Sequence, residues 1–247
     1  MIKVSVITLC KNNAATITSA LQSYKEQDYP YKEHIVVDGA STDNTLDIVK
    51  QYCPDTVVSE PDEGMYYAAN KGIRLAQGDV IVFLHADDVF GSPTVLSQMI
   101  STMESNNTDS VYADLEYVDR TNPGKVIRYW HSDTFSINKL KYGWMPPHPT
   151  FFVKKSIYEK YGSFNTTLKI AADYELMLRF LHQAKISVSY CKIVAIKMRV
   201  GGISNRSISN IIKKMREDLY AARKNKVGGF FTLIMKNLRK VKQFFQH

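Results

Sequence analysis

The sequence predicts an α/β domain built on a mostly parallel central sheet with helices on both faces. Short apolar, β-branched runs alternate with helix-period segments through the first hundred residues. The runs are apolar throughout, the mark of strands buried on both sides. Acidic residues gather at their carboxyl ends, where open α/β sheets bind ligands.

The elements follow in order. Residues 4–10 read as the first strand, and residues 14–27 as a helix with Ile17, Leu21 and Tyr24 on one face. Residues 34–38 are the second strand, whose loop Gly39-Ala-Ser-Thr-Asp43 leads into a helix carrying Leu46, Val49 and Tyr52. Residues 56–59 form a third strand, and residues 64–77 a helix with Met65, Ala69, Ile73 and Ala76 inward. A turn at Gln77-Gly78-Asp79 enters the fourth strand, residues 80–84. Ser92-Pro93 opens the next helix, serine at the N-cap and proline in the first turn, with Val95, Met99 and Met103 apolar. Beyond about residue 108 the pattern changes. Residues 110–118 and 125–130 are strands joined by a turn at Asn122-Pro123-Gly124. Met145-Pro-Pro-His-Pro149 forbids a helix and fixes a rigid loop. Residues 172–184 resume a helical period, and residues 186–190 and 193–198 are apolar enough for strands.

A chain of 247 residues, 45% hydrophobic, suits one large domain with an appendage. The expected division is a domain over residues 1–205 and a basic helical extension over 206–247. No window approaches the roughly 18 consecutive apolar residues of a membrane span, and the first residues read as a strand rather than a signal peptide. Cys10, Cys53 and Cys191, odd in number and widely spaced, fit the reduced cysteines of a cytoplasmic protein. The net charge of +8 is localised: from Arg206 onward eleven Lys/Arg face only Glu217 and Asp218, so the preceding 205 residues are nearly neutral. That distribution argues against a broad nucleic-acid surface and for one local electrostatic contact. In the tail, Phe231, Ile234, Leu238, Val241 and Phe245 recur at three- and four-residue steps among Lys236, Arg239, Lys240 and Lys242. This is an amphipathic basic helix, suited to an anionic membrane surface, or equally to packing on protein.

The chemistry concentrates at His85-Ala-Asp-Asp88, directly after the fourth strand. Asp87 and Asp88 repel each other unless a cation, an arginine or a shared proton intervenes. Mg²⁺ or Mn²⁺ bridging to a diphosphate supplies that relief. Asp38 ends the second strand, so in a parallel sheet it converges on the same crevice, where a carboxylate accepts hydrogen bonds from ribose hydroxyls or a base N–H.

At this point the residues resemble a known family. Val4-Ser-Val-Ile-Thr8, Val36-Val-Asp-Gly-Ala-Ser-Thr-Asp43, Ser59-Glu-Pro-Asp-Glu-Gly64, Asn70-Lys-Gly72, His85-Ala-Asp-Asp88 and Ala171-Ala-Asp-Tyr-Glu-Leu-Met-Leu-Arg179 are similar, in order and spacing, to the family 2 glycosyltransferases. The resemblance covers residues 1 to about 205 and leans toward bacterial surface-polysaccharide enzymes of the colanic-acid type. It implies a GT-A fold, with a Rossmann-like sheet, and inverting transfer of a sugar from a nucleotide diphosphate donor, a UDP-sugar by default. The acceptor it implies is a hydroxyl of a glycan or lipid-linked glycan, at the cytoplasmic face of the cell membrane. By the same resemblance Thr8 borders the nucleotide base, Asp38 binds base or ribose, Asp62 lies beside the nucleotide, and Asp87 with Asp88 binds ribose and metal. Asp88 is the expected direct metal ligand, and Asp173 the catalytic base. The alternative for Asp173 is a helix N-cap. Lys71 faces phosphate or solvent, His148 contacts the diphosphate or acceptor or is held structurally by its prolines, and Trp144 stacks on a sugar or packs in the core.

The chain departs from the family pattern at His85, Ala172 and Tyr67, where Asp, Glu and Asp are common, which loosens inference about the donor. The Gln-x-x-Arg-Trp motif of processive synthases is absent, favouring single-sugar addition. A sugar-phosphate nucleotidyltransferase is the first rival, but the loop after the first strand, Cys10-Lys-Asn-Asn-Ala14, lacks the glycines that cradle a triphosphate. A non-catalytic nucleotide-sugar-binding scaffold is the second.

Overall fold

In the computed structural model, which describes residues 1–201 and 208–242, nine strands form one sheet. They are β1 (Val4–Cys10), β2 (Lys32–Asp38), β3 (Thr56–Ser59), β4 (Val80–Phe83), β5 (Asp88–Phe90), β6 (Ser110–Val118), β7 (Val126–Trp130), β8 (Phe152–Lys154) and β9 (Val188–Arg199). Their order is β3-β2-β1-β4-β8-β6-β9-β5, with β7 paired to β6. The first four are mutually parallel; β8 enters antiparallel to both β4 and β6, and β9 lies parallel to β6. The sheet has to curl. β4 and β5 stand four positions apart, roughly 19 Å if flat, yet only five residue steps join Phe83 to Asp88, at most about 18 Å fully extended. The bend brings the turn at 84–87 across the concave side.

The period of two sorts the strand residues onto two cores. Ile7 and Leu9 of β1, Ile35 and Val37 of β2, and Ile81 and Phe83 of β4 face one cluster. Val4, Val6, Val80 and Val82 face the other. Each such side chain, fully buried, contributes ~1.5–3 kcal/mol. The helices are α1 (Ile17–Lys25), α2 (Thr45–Gln51), α3 (Met65–Leu75), α4 (Val95–Ser105), α5 (Ile137–Lys141), α6 (Lys155–Tyr161), α7 (Ala172–Leu178), α8 (Ile208–Lys224) and α9 (Phe230–Lys242). Ala69 and Ile73 of α3 and Leu176 and Met177 of α7 fill the first core; Ala20 of α1 and Met99 and Met103 of α4 fill the second. A Cβ on Gly72 would lie 2.5 Å from Ile7 Cγ2, so only glycine lets α3 sit this close to β1.

Several elements differ from expectation for local reasons. Met65 is half exposed at the outer edge of the first turn of α3, and Tyr66 is the inward residue. Helix α4 starts at Val95 because the Ser92 and Pro93 carbonyls accept hydrogen bonds from Gln27 Nε2 (2.8 Å) and Asp28 N–H (2.9 Å), which ties them to the end of α1. The two strands expected over 186–198 are one, β9, with register shifts opposite Tyr112–Leu115. The helix expected to reach residue 184 loosens after Leu178 into a π-turn, Arg179–Gln183.

The C-terminal helices dock on the first core through Ala221, Ala222, Val227 and Leu233. Thr232 Oγ1 donates to the Lys141 carbonyl (2.9 Å) and Arg239 Nε to the Tyr142 carbonyl (3.0 Å). Phe231, Ile234 and Leu238 of the predicted stripe remain exposed, with Phe230 beside them. Lys236, expected among the outward cations, is instead buried: it pairs with Asp218 at 2.8 Å, and its Nζ lies 3.3 Å from the centre of the Tyr174 ring. Burial lowers its pKa and Asp218 opposes that shift. Phe245 and Arg206, and the side chains of Lys240, Val241 and Lys242, lie outside the described residues.

Candidate active site

The carboxyl ends of β2, β1 and β4 put Asp38, Cys10 and the 85–88 turn side by side. Asp38 is fully buried. Its Oδ1 accepts from Ser41 Oγ and Cys10 Sγ (3.5 Å), and its Oδ2 from Ser41 N–H (2.9 Å) and Ser59 Oγ (2.7 Å). Burial opposes its charge, but the Ser41 and Ser59 hydroxyls and the Ser41 N–H outweigh burial and hold the carboxyl below its usual range. Those four donors fill the acceptor positions of a carboxylate, so Asp38 also shapes the 39–43 loop. Thr8 lies two residues inside the end of β1, fully buried, its hydroxyl 2.9 Å from His34 Nε2. Its side chain points into the sheet interior.

Asp62 and Lys71 form one unit. The Lys71 ammonium lies 2.5 Å from Glu60 and 2.9 Å from Asp62, which pins the 60–62 loop against α3. Burial works against that charge, but Glu60 and Asp62 raise the lysine pKa above its usual value. Lys71 is thus paired with both carboxylates in this structure. Asp62 keeps its other oxygen buried and without a hydrogen-bond partner among the described residues.

The two aspartates after β4 differ sharply. Asp87 lies in the turn and is partly exposed, its backbone carbonyl held by Arg199 Nη1 at 2.7 Å. Asp88 begins β5 and is 1% exposed, with neither carboxylate oxygen hydrogen-bonded among the described residues. Burial and the neighbouring Asp87 push its pKa well above the normal carboxyl range, with Arg199 opposing. Asp88, expected as the direct metal ligand, thus has two buried carboxylate oxygens of the kind a cation would satisfy, and Asp87 beside it is the more exposed of the pair. No group of three or more His, Cys, Asp or Glu side chains among the described residues can hold a metal unaided. A cation at this turn would need further oxygens from a diphosphate, as is usual for Mg²⁺.

Asp173 comes from far along the chain, in the first turn of α7. Its Oδ1 accepts the Tyr174 N–H (2.8 Å) and lies 3.3 Å from the Tyr66 hydroxyl, which also donates to the Ile170 carbonyl at 2.8 Å. Its charge acts on His85 together with that of Asp87, and on His148. It also reaches Tyr117, as Asp88 does. Asp87 and Asp173 thus both lie within electrostatic reach of His85. His148 packs between Phe83 (5.8 Å between ring centres) and Phe164 (5.5 Å). Burial drives its pKa down to about 4, Asp173 opposing and His85 assisting, so it is neutral at pH 7. Trp144 packs in the core: its indole N–H donates to the Ser132 carbonyl (2.8 Å), and Tyr112 and Phe135 lie against its ring. It has no face left for a sugar.

Sequence reasoning missed Tyr66, Arg199 and the Tyr117–Arg128 pair. Arg128 stacks 3.7 Å over the Tyr117 ring, on the strand facing β6 across the hairpin. An isolated tyrosine or arginine carries no spacing signal. The one available cue was Tyr66, placed four residues before the Asn70-Lys-Gly72 motif.

Comparison with known proteins agrees with this architecture. Residues 5–162 match the family model of Glycosyl transferase family 2. An uncharacterized glycosyltransferase of Mycobacterium tuberculosis is 33% identical over 180 residues, covering 71% of this chain and 68% of the relative. A PGL/p-HBAD biosynthesis glycosyltransferase of Mycobacterium bovis is 27% identical over 208 residues, covering 81% and 78%. Among solved structures, S. aureus TarS 1-349 in complex with UDP-GlcNAc superposes with a TM-score of 0.71 at 20% identity, over 91% of this chain and 66% of that one. The chain spans 39% of the longer TarS structure. The mannosyltransferase PcManGT from Pyrobaculum calidifontis, in complex with GDP-Man and Mn2+, gives 0.67 at 22% identity, over 95% and 69%. These likenesses identify the curled sheet with its flanking helices as a GT-A fold. The chain belongs to glycosyl transferase family 2 and is a glycosyltransferase.

Proposed function

We propose that this enzyme adds a single sugar, with inversion, from a nucleoside diphosphate sugar to a hydroxyl of a glycan or lipid-linked glycan in surface polysaccharide synthesis. The observation that carries the reading is that Asp173, from α7, and Asp87, from the turn after β4, both lie within electrostatic reach of His85. Inversion by direct displacement needs a base on one side of the sugar and charge neutralisation on the other. Asp173 has Oδ1 engaged with Tyr174 N–H and Oδ2 without a hydrogen bond among the described residues, so Oδ2 takes the acceptor proton. As the acceptor oxygen bonds to the anomeric carbon, the bond to the diphosphate breaks on the opposite face. Asp87, with Asp88 buried beside it, would hold a Mg²⁺ or Mn²⁺ ion, which would supply Lewis-acid stabilisation of the leaving group. Asp38 serves the nucleoside, exchanging its Ser41 hydroxyl contact for a ribose hydroxyl or base N–H, with Asp62 nearby. Neutral His148 lines the wall between Phe83 and Phe164, within electrostatic reach of Asp173. The donors named for the structural neighbours, UDP-GlcNAc and GDP-Man, support a nucleotide-sugar donor, with a UDP-sugar as the default.

The test is release of nucleoside diphosphate from UDP-GlcNAc and from GDP-mannose, with and without Mn²⁺. Release that depends on Mn²⁺ is expected. Pyrophosphate formed from a nucleoside triphosphate and a sugar 1-phosphate would instead identify a nucleotidyltransferase.

The exposed face of α9 supports a second part of the reading, docking at the inner face of the membrane. Phe230, Phe231, Ile234 and Leu238 stand outward next to Tyr142, whose ring centre lies 6.1 Å from that of Phe231. Replacing Phe231, Ile234 and Leu238 together with serine leaves the docking contacts of Thr232, Leu233 and Lys236 in place. Each lost insertion removes ~1 kcal/mol or more, so binding to phosphatidylglycerol-containing vesicles is expected to fall at least ~100-fold. Unchanged sedimentation with those vesicles would refute the membrane contact.

A further inference from the structure

The backbone that delivers Asp173 is held from the C-terminal extension. Glu217 of α8, only 9% exposed, accepts hydrogen bonds from three consecutive N–H groups: Lys169 (3.0 Å), Ile170 (2.8 Å) and Ala171 (2.9 Å). The Tyr66 hydroxyl grips the same segment from α3 through the Ile170 carbonyl. Hydrogen bonds to a carboxylate are about twice as strong as neutral ones, so this segment is tied firmly on both sides. The next residue, Asp218, continues the grip. It pairs with Lys236 of α9, and that ammonium lies on the ring of Tyr174, the residue after Asp173. The two helices thus clasp the chain just before and just after Asp173. Covering the core accounts for Ala221, Ala222 and Leu233. It does not account for a carboxylate aimed at three amides.

We infer that Glu217 is a positioning residue for transfer: through the backbone of 169–171 it places the Asp173 carboxylate, which makes the C-terminal helices part of the catalytic apparatus. The inference rests on Asp173 being the base. Misplacing a catalytic group by about 1 Å costs on the order of 10²-fold. In the 247-residue chain, Glu217→Ala should lower kcat for nucleoside diphosphate release, from whichever of UDP-GlcNAc or GDP-mannose is used, by about ten- to a hundredfold. The donor KM should stay within about twofold, because the nucleoside end is held by other elements. Glu217→Gln should recover part of the rate, since its amide oxygen still accepts from the segment.

The decisive measurement is a cycle with Asp173→Asn. With no base left to place, Glu217→Ala should cost less than about twofold in that background. Equal losses in both backgrounds, or an unchanged kcat, overturn the inference. Should Glu217→Ala fail to fold, as thermal melting would show, Glu217→Gln carries the same cycle. An Asp173→Asn enzyme as fast as wild type refutes the base itself. An inactive Asp173→Asn beside a fully active Glu217→Ala refutes only the positioning role.

Discussion

Asp173→Asn should slow sugar transfer by ~10²- to 10⁴-fold, the usual contribution of a positioned general base. It should leave nucleotide binding nearly unchanged. The substitution is informative because the structure separates the residue's two roles. Asp173 sits in the first turn of α7, where its Oδ1 accepts the Tyr174 N–H at 2.8 Å. Asparagine keeps an oxygen for that contact, and it serves as well as aspartate at helix starts. What asparagine cannot do is take a proton. A purely structural Asp173 therefore predicts wild-type turnover in the variant, whereas a base predicts near-complete loss with the fold intact. Thermal melting and the shift induced by UDP or GDP monitor the fold and the nucleoside end. Rate loss with both preserved is the expected result; a near wild-type rate would remove the base.

Much of this site was legible in the sequence because its motifs follow strands. Asp38 and the 85–88 turn end β2 and β4, and continuous apolar runs announced both strands. The parallel pairing of β1 with its two neighbours then put their ends together. Three-residue strands were not legible: β5 and β8 are too short to show a period, yet they close the curl that brings the 85–88 turn across the sheet. Nor can periodicity reveal which of two adjacent aspartates is buried. That depends on β5 pairing with β9, a contact between residues about 110 positions apart. The tail stripe was read correctly on its exposed side, through Phe231, Ile234 and Leu238, but Lys236 was not. Its burial depends on Asp218 of another helix. Glu217, Tyr66 and Arg199 share this character, single polar residues whose partners are distant in sequence.

The second large effect separates Asp87 from Asp88. Asp87→Asn should abolish the Mn²⁺-dependent thermal shift in the presence of UDP or GDP, and transfer should fall at least ~10²-fold if a Lewis acid is lost. Asp88→Asn should behave differently, because both Asp88 oxygens are buried with no hydrogen-bond partner among the described residues. Burial and Asp87 raise its folded pKa above the unfolded value. Its favourable contribution is therefore complete below the ordinary carboxyl pKa and is lost as pH rises toward the folded one. Near neutral pH the wild-type protein must bury either a charge or a proton held against its tendency to leave, and a neutral amide removes that cost. Asp88→Asn should thus melt higher than wild type without metal, by a margin that widens from pH 5 to pH 8, and should retain the Mn²⁺ shift. Loss of that shift in Asp88→Asn, with Asp87→Asn unaffected, would move the cation to Asp88 and require its side chain to turn outward when the donor binds. The two variants measured together at both pH values assign the cation to one aspartate and the buried proton to the other.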